Sequence, residues 1–123
     1  MKVYGESDIR KFIKDNFDIW NDQDRQAFTA LYREASPNGL HIEYVGQPEI
    51  SDGWAAFDHM WENYNQDVKA TLNEVLVNGN EGVCYVHNNS AKDGVAHPTI
   101  EIYKFENGKL SIRYFHNAEG LVE

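Results

Sequence analysis

One acidic residue stands out because the alternation of a predicted strand places it on an apolar face. Within the segment 99–105, Glu101 shares a face with Thr99, Tyr103 and Phe105. A carboxyl group on a buried face is unfavourable unless it is paired, protonated or used in chemistry. Burial without a cation raises a carboxyl pKa, and a neutral acid can donate a hydrogen bond to a developing enolate oxygen.

A purely structural interpretation of Glu101 stands beside the catalytic one. The carboxylate could pair with Arg113 on the neighbouring predicted strand, or it could accept a hydrogen bond from a tyrosine. The sequence leaves the two interpretations open.

Three further residues are candidates for the proton acceptor that would work with Glu101. His116 has the strand parity of Tyr114 and titrates near neutral pH, although it could equally be a strand-end histidine bonded to a backbone carbonyl. In the predicted strand 40–45, parity favours an inward Tyr44, while Glu43 falls on the other face with His41. The candidate catalytic set is therefore Glu101, His116, Tyr44 and Glu43.

The aromatic residues favour a ligand cavity over a core built only for packing. Tryptophan and tyrosine carry polar atoms that need partners when they are buried, and leucine is scarce in this chain. A flat and partly apolar small molecule would suit such a lining. The candidate pocket residues are Trp20, Tyr32, Trp54, Met60, Trp61, Tyr64, His87, Tyr103 and Tyr114.

Hydrophobic periodicity predicts the elements that must position these residues. Apolar residues at three- and four-residue steps predict a helix from an N-cap at Ser7, a second helix after 21–24, and a third from about Ser51. A short strand, 40–45, precedes the third helix, and glycine turns at 79, 94 and 108 divide 68–117 into four strands. We therefore predict an α+β domain, 1–123, in which a curved, mixed, mostly antiparallel sheet wraps as a cone around three helices.

Composition excludes several classes of function. The formal net charge of -9 disfavours nucleic acid and anionic membrane surfaces as partners. The single cysteine, Cys84, forms no internal disulfide, and no spacing is typical of a metal site or a phosphate loop. No apolar run has signal-peptide or membrane-spanning character, so a cytoplasmic protein without a metal or cofactor is expected.

The order of these elements resembles the nuclear transport factor 2-like superfamily, in particular its SnoaL-like and ketosteroid-isomerase-like branch. Segment 19–28 resembles that family's tryptophan-asparagine helix break, and Val45-Gly46 with Gly53-Trp54 resembles its loop into the third helix. Segment 100–115 is similar to its final hairpin. The likeness covers nearly the whole chain.

The resemblance implies a position for each part of a proton-transfer site. Glu101 matches the protonated acid of the ketosteroid isomerases, whereas their aspartate base has only Glu43 and Tyr44 nearby, and their helix tyrosine falls near Asn16. SnoaL-type cyclases carry an acid late in the final strand, where this chain has His116. The implied function is an isomerase or cyclase acting on a small hydrophobic molecule, in a homodimer formed through the outer face of the strands. A non-catalytic binding or interaction module of the same fold is the alternative.

Overall fold

Three helices and five strands follow one another in the order that the sequence predicts. The computed structural model describes residues 2–118. The elements are α1 (Glu6–Asp22), α2 (Arg25–Ala35), β1 (Gly39–Tyr44), α3 (Gly53–Tyr64), β2 (Val68–Asn78), β3 (Glu81–Ser90), β4 (Ala96–Glu106) and β5 (Lys109–Phe115).

The strands form one mixed sheet in the order β1-β5-β4-β3-β2. Strands β2 to β5 are a continuous antiparallel meander, whereas β1 pairs in parallel with β5. A register shift between Leu72 and Glu74 marks a bulge in β2, a feature that bends a strand and increases its twist. The predicted α+β class and the curved sheet around the helices are confirmed.

Helix α1 lies against the concave face of the sheet along the apolar stripe that the sequence predicts. Its Ile9 and Ile13 pack over Gly82 in β3, where an added Cβ would come within 2.5 Å of the Ile13 Cδ1 atom and 2.7 Å of the Ile9 Cγ2 atom. The missing side chain therefore lets the helix approach the backbone of the sheet closely. The buried residues of the stripe are Ile9, Phe12, Ile13, Phe17 and Trp20.

The three helices begin close to the predicted positions, and aspartate side chains cap α2 and α3. The predicted N-cap at Ser7 is wrong, because Gly5 is the cap and the helix starts two residues earlier than predicted; the Gly5 N–H donates to Asp8 Oδ2 at 3.0 Å. The Asp24 side chain accepts from the backbone N–H of Ala27, and the Asp52 side chain accepts from the backbone N–H groups of Trp54 and Ala55. None of the helices within residues 2–118 combines the length and apolarity needed to cross a membrane.

Helix α3 begins directly against the backbone of β1. A Cβ atom added to Gly53 would lie 2.0 Å from the carbonyl oxygen of Leu40. Because that obstacle is main chain, no side-chain rotation can relieve it, and the glycine fixes how closely α3 approaches the strand.

We expect Gly53→Ala to lower the free energy of unfolding by about 1–3 kcal/mol or more, since α3 must move away from β1. Urea denaturation followed by circular dichroism measures the change. Gly5→Ala is the matched control, because its added Cβ would meet nothing closer than Asp8 Oδ2 at 3.7 Å. Equal effects of the two substitutions would contradict the close approach of α3.

Candidate functional site

Glu101 lies in the interior of the protein, on the concave face of β4. Only 5% of the residue is exposed. Its neighbours on that face are buried as the alternation predicts, whereas the intervening Ile100 and Lys104 are exposed. The Thr99 hydroxyl donates to Glu101 Oε2 at 2.9 Å, and the Tyr103 hydroxyl donates to Glu101 Oε1 at 2.6 Å.

Burial dominates the ionisation of Glu101. Desolvation raises its pKa, and the hydrogen bonds from Tyr103 and Thr99 oppose that rise without cancelling it. The predicted pairing with Arg113 is wrong, because the Arg113 guanidinium donates to Glu43 on the opposite face at 3.0 Å. The hydrogen bond from a tyrosine, the other half of the structural interpretation, is present.

A wider set of buried polar groups surrounds the carboxyl. The Tyr32 hydroxyl donates to Asn16 Oδ1, and Asn16 Nδ2 lies 3.5 Å from the Tyr103 hydroxyl oxygen. Burial and the proximity of Glu101 raise the pKa values of Tyr32, Tyr103 and Tyr114, so these phenols stay neutral. Glu101 is therefore the group of this cluster that can ionise, while the surrounding tyrosine hydroxyl groups stay protonated.

Asn16 is a member of this cluster that was not among the predicted site residues. It is 3% exposed and occupies the position near which the resemblance places a helix tyrosine. A signal for it exists in the sequence, since Asn16 is a polar residue within the apolar stripe of α1, between Ile13 and Phe17. Such a residue needs a hydrogen-bond partner in the core.

Strand register brings the carboxyl and two tyrosines into one line. Glu101 on β4 stands opposite Tyr114 on β5, and Tyr114 stands opposite Tyr44 on β1. The rings of Tyr114 and Tyr44 stack with centroids 5.4 Å apart. We call Glu101, Tyr114 and Tyr44 the cross-strand row.

His116 lies at the outer end of this row, one residue beyond the end of β5. Its ring centroid is 5.4 Å from that of Tyr44 and 6.2 Å from that of Tyr114. The residue is exposed, but partial desolvation of the ring lowers the pKa of His116 below its ordinary 6.5, so the imidazole is neutral at neutral pH and can accept a proton. The structure thus brings Glu101, Tyr44 and His116 to one region.

Glu43 is not part of that region. The alternation of β1 puts it on the outer face, where it forms an ion pair with Arg113 across the parallel pairing of β1 with β5. The prediction of Glu43 as a proton acceptor beside Glu101 therefore conflicts with its placement on the opposite side of the sheet.

His87 also falls on the outer face, with Val83 and Tyr85, which alternate with buried residues along β3. The helices cover the other face of β3, where Cys84 and Val86 are buried. The His87 Nε2 atom lies 3.2 Å from the Tyr85 hydroxyl. Its predicted place in an interior pocket is not the place that the structure gives it.

The remaining pocket candidates divide between the core and its edge. The Trp20 indole N–H donates to the Val68 carbonyl at 3.0 Å, and the ring packs 5.4 Å from Trp61. Met60 reaches the row, with its sulfur 4.0 Å from the Tyr114 hydroxyl. At the edge, the Arg33 guanidinium lies 3.7 Å from the ring centre of Trp54, and Tyr64 is 52% exposed.

A cavity of about 250 Å³ lies at another part of the molecule, between the amino-terminal segment and the β4–β5 turn. None of the candidate site residues lines it; its lining is Lys2, Val3, Tyr4, Ala35, Asn80, Phe105, Glu106, Asn107, Gly108 and Lys109. Within residues 2–118, no three histidine, cysteine or acidic side chains come together in a way that could hold a metal ion.

The raised pKa of Glu101 predicts a particular dependence of stability on pH. Its pKa is about 4.5 when unfolded and higher when folded, so the folded state binds the proton more tightly. We expect the free energy of unfolding of the wild type, minus that of Glu101→Gln, to fall as pH rises above about 4.5.

Urea denaturation of both proteins across this range measures the difference, and the subtraction removes the contribution of the other carboxyl groups. Each unit by which the folded pKa exceeds the unfolded one corresponds to about 1.4 kcal/mol lost at high pH. A difference that does not change with pH would show that the Glu101 pKa is the same in both states.

Comparison with known proteins finds similarity in structure alone. No known protein-family model matches the sequence, and no curated protein matches it. Among solved structures, the chain is similar to an NTF-2 like protein of unknown function from Burkholderia xenovorans LB400, with a TM-score of 0.74 and 14% identity over 96% of this chain and 89% of the other.

Two further similar structures carry names that mention an enzymatic activity. One is the epoxide hydrolase/cyclase-like enzyme SalBIII, which is described in pyran ring formation in the polyether salinomycin (TM-score 0.71, 16% identity, 89% of this chain and 91% of that one). The other is a candidate SnoaL-like polyketide cyclase from Jannaschia sp. CCS1 (TM-score 0.69, 16% identity, 95% and 92%). At these identities the likeness concerns the fold alone.

Proposed function

Because the chain has the nuclear transport factor 2-like fold, we propose that it binds a small, flat, largely apolar molecule beside the cross-strand row and moves a proton on it. The reaction classes that suit such a site are isomerisation beside a carbonyl group and aldol-type cyclisation. Both rearrange bonds through an enol or enolate and need no cofactor.

The observation that carries this proposal is the burial of Glu101 without a cation. Burying a carboxyl group among hydroxyl donors costs free energy that an apolar side chain of similar size would not cost. Strongly perturbed acids of this kind are concentrated at functional sites. A chemical use of the proton is a reason to keep the group in the core.

Glu101, at one end of the cross-strand row, and His116, beyond the other end, have ionisation properties that fit an acid and a base. Desolvation favours the protonated form of Glu101, and the weaker desolvation of the exposed His116 favours its neutral form. In the proposed reaction, His116 removes a proton from the carbon next to a carbonyl, and Glu101 donates to the oxygen that becomes negative. Tyr103 and Tyr114 orient the ligand, and Tyr44 packs against it.

The named similar structures support the cyclisation class without assigning a substrate. SalBIII is described in the formation of a pyran ring, and the Jannaschia protein as a candidate polyketide cyclase. Ring closure on a small apolar chain places a developing oxygen charge inside a water-poor site, which is the situation that a buried neutral acid stabilises.

We expect Glu101→Gln to lower kcat by on the order of 10²–10⁴-fold, because the amide cannot transfer a proton to the substrate oxygen. The assay is the isomerisation of a β,γ-unsaturated cyclic ketone to its conjugated form, followed by ultraviolet absorbance. Glu106→Gln is the matched control on the same strand, since Glu106 is exposed and distant from the row. Turnover by the wild type that Glu101→Gln leaves unchanged would refute the assignment.

A non-catalytic binding module is the second candidate, and the internal satisfaction of Glu101 favours it. Both carboxyl oxygens already accept hydrogen bonds from Thr99 and Tyr103. In this case Glu101→Gln changes ligand affinity or stability while no tested substrate is converted. Titration with a flat phenol such as a naphthol, followed by tryptophan fluorescence, measures binding apart from turnover.

The outer face of the sheet supports the proposal that two copies of the chain associate. Register places Leu76, Val83 and Ile102 in one apolar line across β2, β3 and β4. Tyr85 and Ile100 are paired in the next line. Leu76 is 60% exposed and Ile100 36% exposed, and apolar surface of this kind is typical of an interface.

We expect Leu76→Glu to convert a dimer into a monomer, because a carboxylate in the middle of an apolar interface would lose its hydration. Sedimentation equilibrium measures the mass. Ala30→Glu, on the exposed side of α2, adds the same charge away from the sheet and leaves the mass unchanged. A wild type that sediments as a monomer would refute this mode of association.

A further inference from the structure

The two oxygens of Glu101 are held by hydroxyl groups in different ways. Thr99, which donates to Oε2, is itself the acceptor of a hydrogen bond from Asn88 Nδ2 at 3.0 Å. Tyr103, which donates to Oε1, has a longer contact behind it, from Asn16 Nδ2 at 3.5 Å. The Thr99 side is therefore the more firmly constrained.

The direction of the hydrogen bonds on the Thr99 side follows from a backbone group. Asn88 Nδ2 also donates to the carbonyl oxygen of His97 at 3.0 Å, and a carbonyl oxygen can only accept. This contact fixes which end of the Asn88 amide carries the N–H groups. The N–H that faces Thr99 must donate, so the single hydroxyl proton of Thr99 is left to point at Glu101.

We infer that Asn88 is a positioning residue, which acts through Thr99 to hold Oε2 of Glu101 as an acceptor and so confines the transferable proton to Oε1, beside Tyr103. This inference rests on the proposed function for its meaning, since it names the oxygen from which the proton is delivered. The hydrogen-bond geometry on which it depends requires no substrate.

The consequence for proton transfer is a single route into and out of the carboxyl group. A proton on Oε2 would face the hydroxyl proton of Thr99, which Asn88 prevents from turning away. A proton on Oε1 faces Tyr103, whose hydroxyl can rotate, so that Oε1 can donate to Tyr103 or to a ligand oxygen. Tyr103 is thus the adjustable partner, and Thr99 is the fixed support.

The surroundings make the ionisation of Glu101 measurable on its own. The titratable side chains that face it are Cys84, Tyr32, Tyr103, Tyr114 and Tyr44, and burial raises the pKa of each. These groups keep their protons through the acidic and neutral range. A carbon-13 signal of the Glu101 carboxyl, identified by its absence in Glu101→Gln, reports the protonation of this group.

The chain contains a closely matched control for Asn88. The adjacent Asn89 points to the other face of β3 and makes the same kinds of contact, to the Lys69 carbonyl at 3.2 Å and to the Thr71 hydroxyl at 3.0 Å. The two asparagines differ in that only the threonine bound by Asn88 touches a carboxyl group.

We expect Asn88→Ala to raise the pH at which Glu101 is half-protonated by about one unit, because Thr99 becomes free to accept a proton from Oε2. Asn89→Ala should leave that pH unchanged. Thr99→Val, which keeps the side-chain shape and removes the hydroxyl, should raise it as well. In the Thr99→Val background, Asn88→Ala should have no additional effect, since Asn88 acts through that hydroxyl.

Three results would overturn the inference. The first is an unchanged Glu101 midpoint in Asn88→Ala, and the second is an equal shift in Asn89→Ala. The third is a full Asn88→Ala shift that persists in the Thr99→Val background, which would show direct action on Glu101. These results do not depend on turnover, because the experiment measures the ionisation of Glu101. The absence of any catalysed reaction would refute the proposed function but not this inference.

Discussion

The placement of one carboxyl group in the core constrains the rest of this structure. Glu101 is buried on the concave face of β4 and has hydroxyl groups as partners, so its neighbours must supply donors while excluding water. Thr99 and Tyr103 supply the donors, Asn88 and Asn16 contact these two hydroxyl groups, and Tyr32 and Tyr114 are buried nearby. Each is itself bonded, and no buried side-chain nitrogen or oxygen among the described residues lacks a partner.

The sheet supplies this environment by register. The carboxyl group, Tyr114 and Tyr44 come from three strands that are widely separated in the chain, and the pairing of β4 with β5 and of β5 with β1 sets them side by side. The same pairing explains the outer face. One residue away from each member of the row, Ile102, Arg113 and Glu43 form a second line, in which the two charged groups neutralise each other.

Local patterns allowed much of the fold to be predicted, because periods of two and of about 3.6 residues follow from chain geometry. These patterns predicted that Glu101 has buried neighbours and that α1 has an apolar stripe. They did not distinguish the two faces of β3: alternation groups His87 with Tyr85, but only the packing of α1 over Gly82 determines which face is inside. The pairing of Glu43 with Arg113 likewise depends on a parallel contact between distant strands, which no local pattern contains. Asn16 and Asn88 join the site through hydrogen bonds whose partners are equally remote.

The parallel position of β1 has a consequence for the order in which the molecule can be assembled. This strand lies at the edge of the sheet and its sole neighbour there is β5, the last strand of the described chain. During synthesis, β1 must remain without its partner until some seventy further residues have been made, and contacts of such long sequence separation form slowly. The helices and the meander can come together earlier, and we expect Tyr44 to reach its place beside Tyr114 late in folding.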